Sequence, residues 1–416
     1  MINTARNNEI PPKMLKFLKE LSKSLIAAGS SVTDTEDILE NIANAHGVPV
    51  EVSVFPTMLL LKLGDEDSST ITIAVQSPGI LPLNQVSEIY RLIHQVENHE
   101  VSFEEALLKL QQIRASKHHF GKVGIIFGYF LLSLGLGLLI QPSYQQLMVC
   151  SIFSIIVGLL ILVSQNNPRL SMVMPVIAAF IVSSLLFFMI KQGIITGNFS
   201  LLIPSLIYFL PGVTLTTGIY ELARGELVSG SSRVIYGTII LFLLIFGLIM
   251  GVQINGFPQQ EFLLAQSTSA LEYTAPYLGV LIFGIGMYLF LSVYKKDFLW
   301  ILLVLYVALI GQQLGNMLAG GLLGGFLGAL FMTISAKTIE SHDHTPHFVT
   351  LYPAFWFLAP GSIGFIGLAD FIGQNYLTSV AEISLFVMTI IAIALGLLVG
   401  AIMTEPLQKR MKKIPV

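Results

Sequence analysis

The sequence predicts a mainly α-helical polytopic membrane protein with about ten spans, preceded by a small α+β domain. Of its 416 residues, 54% are hydrophobic and only 11% are charged, with a mean hydropathy of +0.77. Soluble domains are about 25% charged. The charge is also uneven, because residues 1–120 hold 25 of the 47 charged side chains. After Gly121 the chain contains ten apolar stretches near the length of about 20 residues that crosses the hydrocarbon core.

Composition and motifs argue against several functional classes. The net charge of −3 gives no sign of a nucleic-acid partner. Cys150 is the only cysteine, so neither an intrachain disulfide nor a thiolate metal cluster is expected. No catalytic motif is present, and we expect neither an enzyme nor a cofactor or metal site. No secretory signal peptide is visible before the apolar stretch near Gly121, so the N-terminal region is expected to stay on the side of synthesis.

Residues 1–118 are predicted to form a cytoplasmic α+β domain. Leucines at helical spacing predict its first helix, and Thr33 with Glu36 forms a predicted capping box for the second. Ser102 with Glu105 forms another capping box, which opens the last helix. His118 and His119 are interpreted as interfacial residues at the junction with the membrane part. The helices are predicted over 13–28, 33–47, 83–97 and 102–115, and the strands over 49–55, 58–62 and 70–75.

The membrane part is predicted to contain two repeats of five spans each, over 119–252 and 274–404, followed by a basic cytoplasmic tail over 405–416. Glycines blur one boundary, between the seventh and eighth spans near Asn316. The predicted spans are 121–140, 147–164, 172–190, 201–220, 234–251, 277–294, 298–316, 318–336, 348–369 and 383–403.

Basic residues in the loops predict the orientation in the membrane. Cytoplasmic loops carry an excess of lysine and arginine. If the N-terminal domain is cytoplasmic, ten such residues lie on its side and only Lys191 lies on the other. Both termini are therefore predicted to be cytoplasmic, in a multi-pass protein of the cell membrane. The ten residues are Arg169, Arg224, Arg233, Lys295, Lys296, Lys337, Lys409, Arg410, Lys412 and Lys413.

Spans four and nine share the pattern P-x6-P-G-x5-G-x2-[E/D], and every member is offset by 149 residues. Five spans in each half make the second copy cross the membrane in the opposite sense. The pattern therefore predicts an inverted repeat with discontinuous helices four and nine, which is typical of secondary transporters. The matched residues are Pro204, Pro211, Gly212, Gly218 and Glu221 in one copy and Pro353, Pro360, Gly361, Gly367 and Asp370 in the other.

Each Pro-Gly pair predicts a helix break near the middle of the membrane. The freed backbone groups must face protein or a wet cavity, and the amides of the half-helix that follows suit a carboxylate. The alternative interpretation is a pair of ordinary proline kinks with packing glycines. The candidate substrate-binding residues are Pro211, Gly212, Thr214, Thr216, Thr217, Pro360, Gly361 and Ser362.

Glu221 and Asp370 are the candidate proton-coupling residues, because a carboxylate in the membrane is costly to ionise. The alternative places both acids at helix ends in water, with Glu221 paired to Arg224. The segment Ser341–His347 holds three histidines and an aspartate. Its spacing fits no standard metal site, so it is interpreted as a solvated cytoplasmic loop.

The chain resembles the threonine/serine exporter family over almost its whole length. The N-terminal resemblance lies in LIAAGSSVTDTEDILENIANAHGVPVEV, Pro56–Thr57 and EEALLKLQQI, and the membrane resemblance in LPGVTLTTGIYELARGELVSGSSR and APGSIGFIGLAD. The resemblance implies an exporter of small hydroxy amino acids in the cytoplasmic membrane, driven by the proton motive force. The expected partners are the substrate, protons and lipid, and a homo-oligomer is left open. The alternatives are an exporter or channel-like facilitator of other small carboxylates, such as dicarboxylates, and a membrane enzyme or receptor.

Overall fold

The computed structural model describes residues 12–64, 69–140, 143–165, 167–197, 199–256, 274–343, 345–358, 364–368 and 376–411. The chain divides into two compact units. The N-terminal unit comprises Met1–Lys117 together with Glu221–Ser232, and the membrane unit comprises His118–Tyr220 and Arg233–Val416. The segment Glu221–Ser232, which the sequence places in the first membrane repeat, thus packs with the N-terminal domain.

The N-terminal unit contains four helices and a three-stranded antiparallel sheet of order β1-β2-β3 in the described part of the chain. Period-two alternation puts Leu59, Leu61 and Leu63 of the central strand on the buried face. These elements match the predicted ones to within a few residues. They are α1 (Pro12–Ala28), α2 (Val32–Ala45), β1 (Val50–Phe55), β2 (Met58–Leu63), β3 (Thr70–Val75), α3 (Leu83–Glu97) and α4 (Phe103–Ala115).

The start of α2 differs from the prediction. Ser31, in an extended conformation, is the N-cap, and its hydroxyl accepts a hydrogen bond from Asp34 N. The predicted capping box of Thr33 with Glu36 is therefore wrong, because Thr33 lies inside the helix and Glu36 accepts a hydrogen bond from Val54 N instead. The second predicted box, Ser102 with Glu105, is confirmed at the start of α4.

The membrane unit is built from long apolar helices. Spans one to three are α5 (Gly121–Ile140), α6 (Tyr144–Ser164) and α7 (Pro168–Lys191). The fourth contains the short helices Phe199–Leu202, α8 (Ile203–Leu206) and Ile207–Phe209, followed by α9 (Gly212–Ala223). The remaining helices are α10 (Leu227–Asn255), α11 (Ala275–Phe290), α12 (Lys295–Ala319), α13 (Gly321–Asp343), α14 (His347–Leu358), α15 (residues 364–368) and α16 (Tyr376–Met411).

The helix lengths establish a mainly helical, polytopic membrane protein. Among the described residues, seven helices are long and apolar enough to span a membrane, and a bent pair in the fourth span makes an eighth. The helix α11 is apolar but has only 16 residues. The predicted ninth span begins with α14 and continues into residues outside the described ranges. The count of ten spans therefore stays a prediction.

Two boundaries near the end of the chain differ from those predicted. The helix α12 ends at Ala319 and is followed by Gly320, whose φ of +84° suits glycine, so the predicted boundary near Asn316 was about three residues early. At the C-terminus, α16 continues as far as Met411, into the segment predicted as a tail.

The first helices of the two predicted halves pack directly against each other. Gly135 of α5 lies against Gly279 of α11, and Gly128 lies against Gly286. Residue numbers rise along one helix as they fall along the other, so the two helices run antiparallel. A methyl group on Gly135 would lie 2.6 Å from Gly279 O, which shows that the two backbones touch. The antiparallel arrangement is the one that an inverted repeat requires.

A second contact recurs in both halves. In the first half, Gly247 of α10 packs on Ala179 of α7. In the second half, Gly396 of α16 packs on Ala329 of α13. The glycines are 149 residues apart and the alanines 150, which matches the offset of the Pro-Gly motifs. The internal repeat therefore extends beyond the motif that suggested it.

A third repeated contact has exchanged its large and small residues. Leu215 of α9 packs on Gly237 of α10, and the ring of Phe386 in α16 packs on Gly364 of α15. Both pairs of positions are related by 149 residues. The contact is thus retained while its side chains differ, which explains why sequence similarity alone did not reveal it.

Candidate substrate site

The fourth span is broken at Pro211. The segments Phe199–Phe209 and Gly212–Ala223 meet at an angle of 67°. Proline disfavours the helical conformation of the residue before it, and Leu210 is extended, with φ −68° and ψ 122°. The new helix starts at once, because Pro211 O accepts a hydrogen bond from Leu215 N. The predicted interruption of span four is confirmed.

Side chains from other spans bind the backbone around this break. The hydroxyl of Tyr129, a fully buried residue of α5, donates to Ser205 O at 2.7 Å and accepts from Tyr208 N at 3.4 Å. The thiol of Cys150 in α6 donates to Leu201 O at 3.0 Å. Backbone groups that leave a regular helix inside a membrane need such partners. Tyr129 and Cys150 therefore stabilise the broken conformation.

Aromatic rings bring the fourth and ninth spans together. The ring centroids of Tyr208, three residues before Pro211, and Trp356, four residues before Pro360, are 6.0 Å apart. Phe290, the last residue of α11, lies 5.9 Å from the first ring and 6.2 Å from the second. The two motif-bearing spans thus meet next to the break, as the predicted site requires.

The second copy of the motif is described only in part. The helix α14 ends at Leu358, two residues before the second Pro-Gly pair. Four predicted site residues lie outside the described residues, and their roles stay predictions. They are Pro360, Gly361, Ser362 and Asp370.

The three threonines of α9 do not share one face. Successive residues of an α-helix are about 100° apart, so Thr214 and Thr217 are neighbours on one side while Thr216 points elsewhere. The first two are half-buried and Thr216 is 0% exposed. Pro211 and Gly212 are buried beside them. The predicted binding set therefore separates into two faces of the same half-helix.

Thr216 differs from the other buried threonines of the membrane helices. The hydroxyls of Thr333 and Thr389 donate to the carbonyl four residues earlier, as is common in apolar helices. Within the described part of the chain, Thr216 Oγ1 is buried and has no hydrogen-bond partner. A buried hydroxyl without a partner is costly, and it marks a place where a polar ligand can bind.

Glu221 lies apart from these threonines. Its carboxylate is 0% exposed and belongs to the N-terminal unit, where Oε1 accepts a hydrogen bond from Val32 N at 3.0 Å. Glu221 does lie in the last turn of α9, as the alternative interpretation expected, but it is buried and does not face water. Its predicted role in proton exchange is not tested by this contact.

The segment Ser341–His347 is not the solvated loop that was expected. Its first three residues are the last turn of α13, and Thr345 is buried and donates to Asp343 Oδ2 at 2.9 Å. His347 Nδ1 lies 2.8 Å from Glu340 Oε1. Among the described residues, no group of three histidine, cysteine or acidic side chains could hold a metal ion. The described residues of the segment thus include a helix end and buried polar contacts.

The sequence interpretation missed Tyr129, Tyr208 and Trp356. The positions of the last two, shortly before their Pro-Gly pairs, offered a weak signal. Tyr129 offered none, since its role depends on how α5 packs against the broken span.

Comparison with known proteins identifies the family. The ThrE family model, described as "Putative threonine/serine exporter", matches residues 16–255, more than half of the chain. The chain belongs to the ThrE family. The match covers most of α1, all of α2–α4, the broken fourth span and α10, and therefore includes both Glu221 and Val32, whose amide donates to it. No solved structure matches the chain.

Two relatives of this ThrE protein share about a quarter of the aligned residues. A pheromone-regulated membrane protein 10 of Debaryomyces hansenii is 23% identical over 257 residues, and one of Eremothecium gossypii is 25% identical over 250 residues. Each match covers 58% of this chain but only 24% and 33% of the respective relative. The chain is thus similar to a minor part of each larger protein.

Proposed function

We propose that this protein is a secondary transporter that exports small hydroxy amino acids such as threonine and serine, by proton antiport with alternating access. Family membership supports the substrate class. The observation that carries the site is the buried hydroxyl of Thr216, which has no hydrogen-bond partner among the described residues and lies in a half-helix that starts at a 67° break. Such an arrangement supplies polar groups inside a membrane without a charged side chain.

The proposed substrate position is at the start of α9. The first amides of a helix have no acceptor inside it and carry partial positive charge. They suit the substrate carboxylate, while threonine hydroxyls suit its hydroxyl or ammonium group. Pro360, Gly361 and Ser362 would contribute from the second repeat. The aromatic contact of Tyr208 with Trp356 supports this convergence of the two repeats.

The repeated packing supports alternating access. Contacts that recur at an offset of about 149 residues, with antiparallel first helices, describe two halves that can adopt exchanged conformations. Asp370 and Glu221 are the candidate proton carriers, because a carboxylate inside a membrane is costly to ionise.

The proposed location is the cytoplasmic membrane, with both termini in the cytoplasm. The N-terminal domain and the segment Glu221–Ser232 belong to one compact unit, and four predicted spans separate them in sequence. An even number of crossings returns the chain to the side from which it started. This agrees with the orientation that the basic residues predict.

Export from proteoliposomes tests the proposal. Vesicles preloaded with labelled threonine, serine or a dicarboxylate are assayed with and without a pH gradient. We expect hydroxy amino acids to leave faster with the gradient. Transport of the dicarboxylate alone would replace the proposed substrate class. Equal rates with and without the gradient would remove proton coupling and support a facilitator.

An Asp370→Asn variant in the same vesicles tests the proposed proton carrier. An antiporter that depends on this carboxylate loses accumulation driven by the pH gradient, whereas a facilitator keeps its flux. Unchanged accumulation would exclude Asp370 as the proton carrier.

A further inference from the structure

The carboxylate of Glu221 caps a helix of the N-terminal domain. Val32 is the first residue of α2, and its amide has no acceptor within that helix. Glu221 Oε1 accepts from it at 3.0 Å, and both residues are buried. A negative charge at a helix N-terminus is stabilised by the amides and by the helix dipole. Residues 189 positions apart in sequence are thus joined by a buried hydrogen bond.

The segment that follows is fixed at a second point. The hydroxyl of Ser229, which is also buried, donates to Val54 O at 3.5 Å, near the end of β1. Between the two contacts, Glu226 lies close enough to Glu36 to affect its titration. Burial raises the pKa of Glu36 and the Glu226 charge adds to the rise, while the hydrogen bond from Val54 N opposes it. Both ends of the segment Glu221–Ser232 are therefore held in the N-terminal unit.

Glu221 also belongs to α9, the half-helix that starts at the break. This helix is continuous from Gly212 to Ala223, about three turns, and carries all three threonines of the proposed site. An α-helix of that length moves as a rigid body. A hydrogen bond that fixes its last turn therefore also restrains the position of its first turn.

We propose that Glu221 is a positioning residue through which the N-terminal domain holds the half-helix α9 and so sets the geometry of the substrate site. This inference rests on the proposed transport function. It gives the N-terminal domain a role in the transport cycle. It also leaves Asp370 as the proton carrier, while Glu221, the equivalent residue of the first repeat, has a different role.

Val32→Pro removes the donor of this bond with little other change. Proline is favoured at the first position of a helix, and Ser31 before it already has the extended conformation that proline requires, with φ −66° and ψ 154°. Val32→Ala is the matched control, because it removes side-chain atoms and keeps the amide. On the other side, Glu221→Ala removes the acceptor and Glu221→Gln keeps an acceptor oxygen without the charge.

Two readouts use the full-length protein in proteoliposomes. The first is hydrogen exchange of peptides that cover Gly212–Ala223 and Glu221–Ser232. We expect the amides of these peptides to exchange faster in Val32→Pro and Glu221→Ala than in the wild-type protein. In Val32→Ala they should exchange at the wild-type rate. The second is export of labelled threonine. We expect the maximal rate to fall on the order of tenfold in the same two variants, which corresponds to the loss of a hydrogen bond to a charged group.

The combination of variants distinguishes positioning from proton transfer. The double variant Val32→Pro with Glu221→Ala should export no more slowly than Glu221→Ala alone, because both changes break one bond. Glu221→Gln should retain the effect of the pH gradient. Loss of that effect in Glu221→Gln would identify a proton carrier and overturn the inference. Val32→Pro and Val32→Ala that behave alike in both readouts would also overturn it.

The outcomes also separate this inference from the proposed function. If the wild-type protein exports none of the tested substrates, the proposed function fails, while the exchange experiment still reports whether Glu221 holds α9. If Val32→Pro does not fold, Glu221→Ala with its exchange readout gives the same test from the other side of the bond.

Discussion

Thr216→Val is the change that most directly tests the proposed site. Valine has nearly the shape of threonine and replaces the hydroxyl by a methyl group. Thr216 is fully buried, and its Oγ1 has no partner among the described residues. The substitution therefore leaves the packing volume almost unchanged and removes only a polar group. Its effects on stability and on substrate binding are expected to have opposite signs.

The magnitudes follow from the state of the hydroxyl. Burying a hydroxyl without a hydrogen bond costs about 1–3 kcal/mol, so the substrate-free variant should be more stable than the wild type by about 1 kcal/mol or more. When substrate is bound, a hydrogen bond from this hydroxyl to a carboxylate contributes about 1.5–3 kcal/mol. Its loss corresponds to roughly 10- to 100-fold weaker binding. A variant that is more stable yet binds more weakly is the expected signature.

The control is Thr333→Val in α13. Thr333 is also buried in a membrane helix, but its hydroxyl already donates to Ala329 O at 2.7 Å. Removing it should lower the melting temperature slightly and leave substrate affinity unchanged. The assays are thermal unfolding with and without threonine and the concentration dependence of export. Unchanged affinity in Thr216→Val, or a loss of stability equal to that of the control, would refute the proposed role of Thr216.

Three further outcomes follow from the structure. Tyr129→Phe should destabilise the protein by about 1–3 kcal/mol and slow export, because Ser205 O loses its buried partner; an unchanged melting temperature would contradict this. Gly135→Ala should cost about 1–3 kcal/mol or prevent folding, whereas Gly321→Ala, which has open space around it, should be harmless in the same expression and thermal assays. The pKa of Glu36 in the folded protein is raised above its ordinary value of 4.5, so the folded protein binds this proton more tightly than the unfolded chain does. The free energy of unfolding should therefore fall as the pH rises from 4.5 through the native pKa, and Glu36→Gln should remove this pH dependence in thermal unfolding between pH 4 and 8.

Local patterns predicted most of the helices and strands. Long apolar runs have few alternative structures in a membrane, and the alternation of β2 allows only one buried face. The start of α2 shows the limit of such patterns. Both Ser31 and Thr33 are suitable N-caps by composition, and the choice was decided by Glu36, whose carboxylate binds Val54 N from another element. That contact depends on tertiary structure and has no signal along the chain.

The candidate site was predictable where the backbone dictates it. Pro211 must extend the residue before it, so the break could be located from sequence. The faces of the threonines follow from helical geometry once the helix is known to start at Gly212. The partner of Glu221 was not predictable, because an acid near a helix end in an apolar sequence suggests a membrane carboxylate. Two of the stretches that carry the resemblance, residues 25–52 and 210–233, are joined by the hydrogen bond from Val32 N to Glu221 Oε1.

In the described part of the chain, the two halves share equivalent packing contacts, and the first half also has a hydrogen bond to the N-terminal domain. Gly247 on Ala179 and Gly396 on Ala329 are equivalent contacts, and under the proposed alternating access each half would adopt the conformation of the other in turn. In the described part of the chain, the broken helix of the first half ends in the N-terminal unit, through the buried carboxylate of Glu221. A restraint that acts on one of two equivalent conformations changes their relative populations by its free energy. Weakening the hydrogen bond from Val32 N to Glu221 should therefore change the relative populations of the two proposed conformations. The polar groups of the substrate site itself should stay the same.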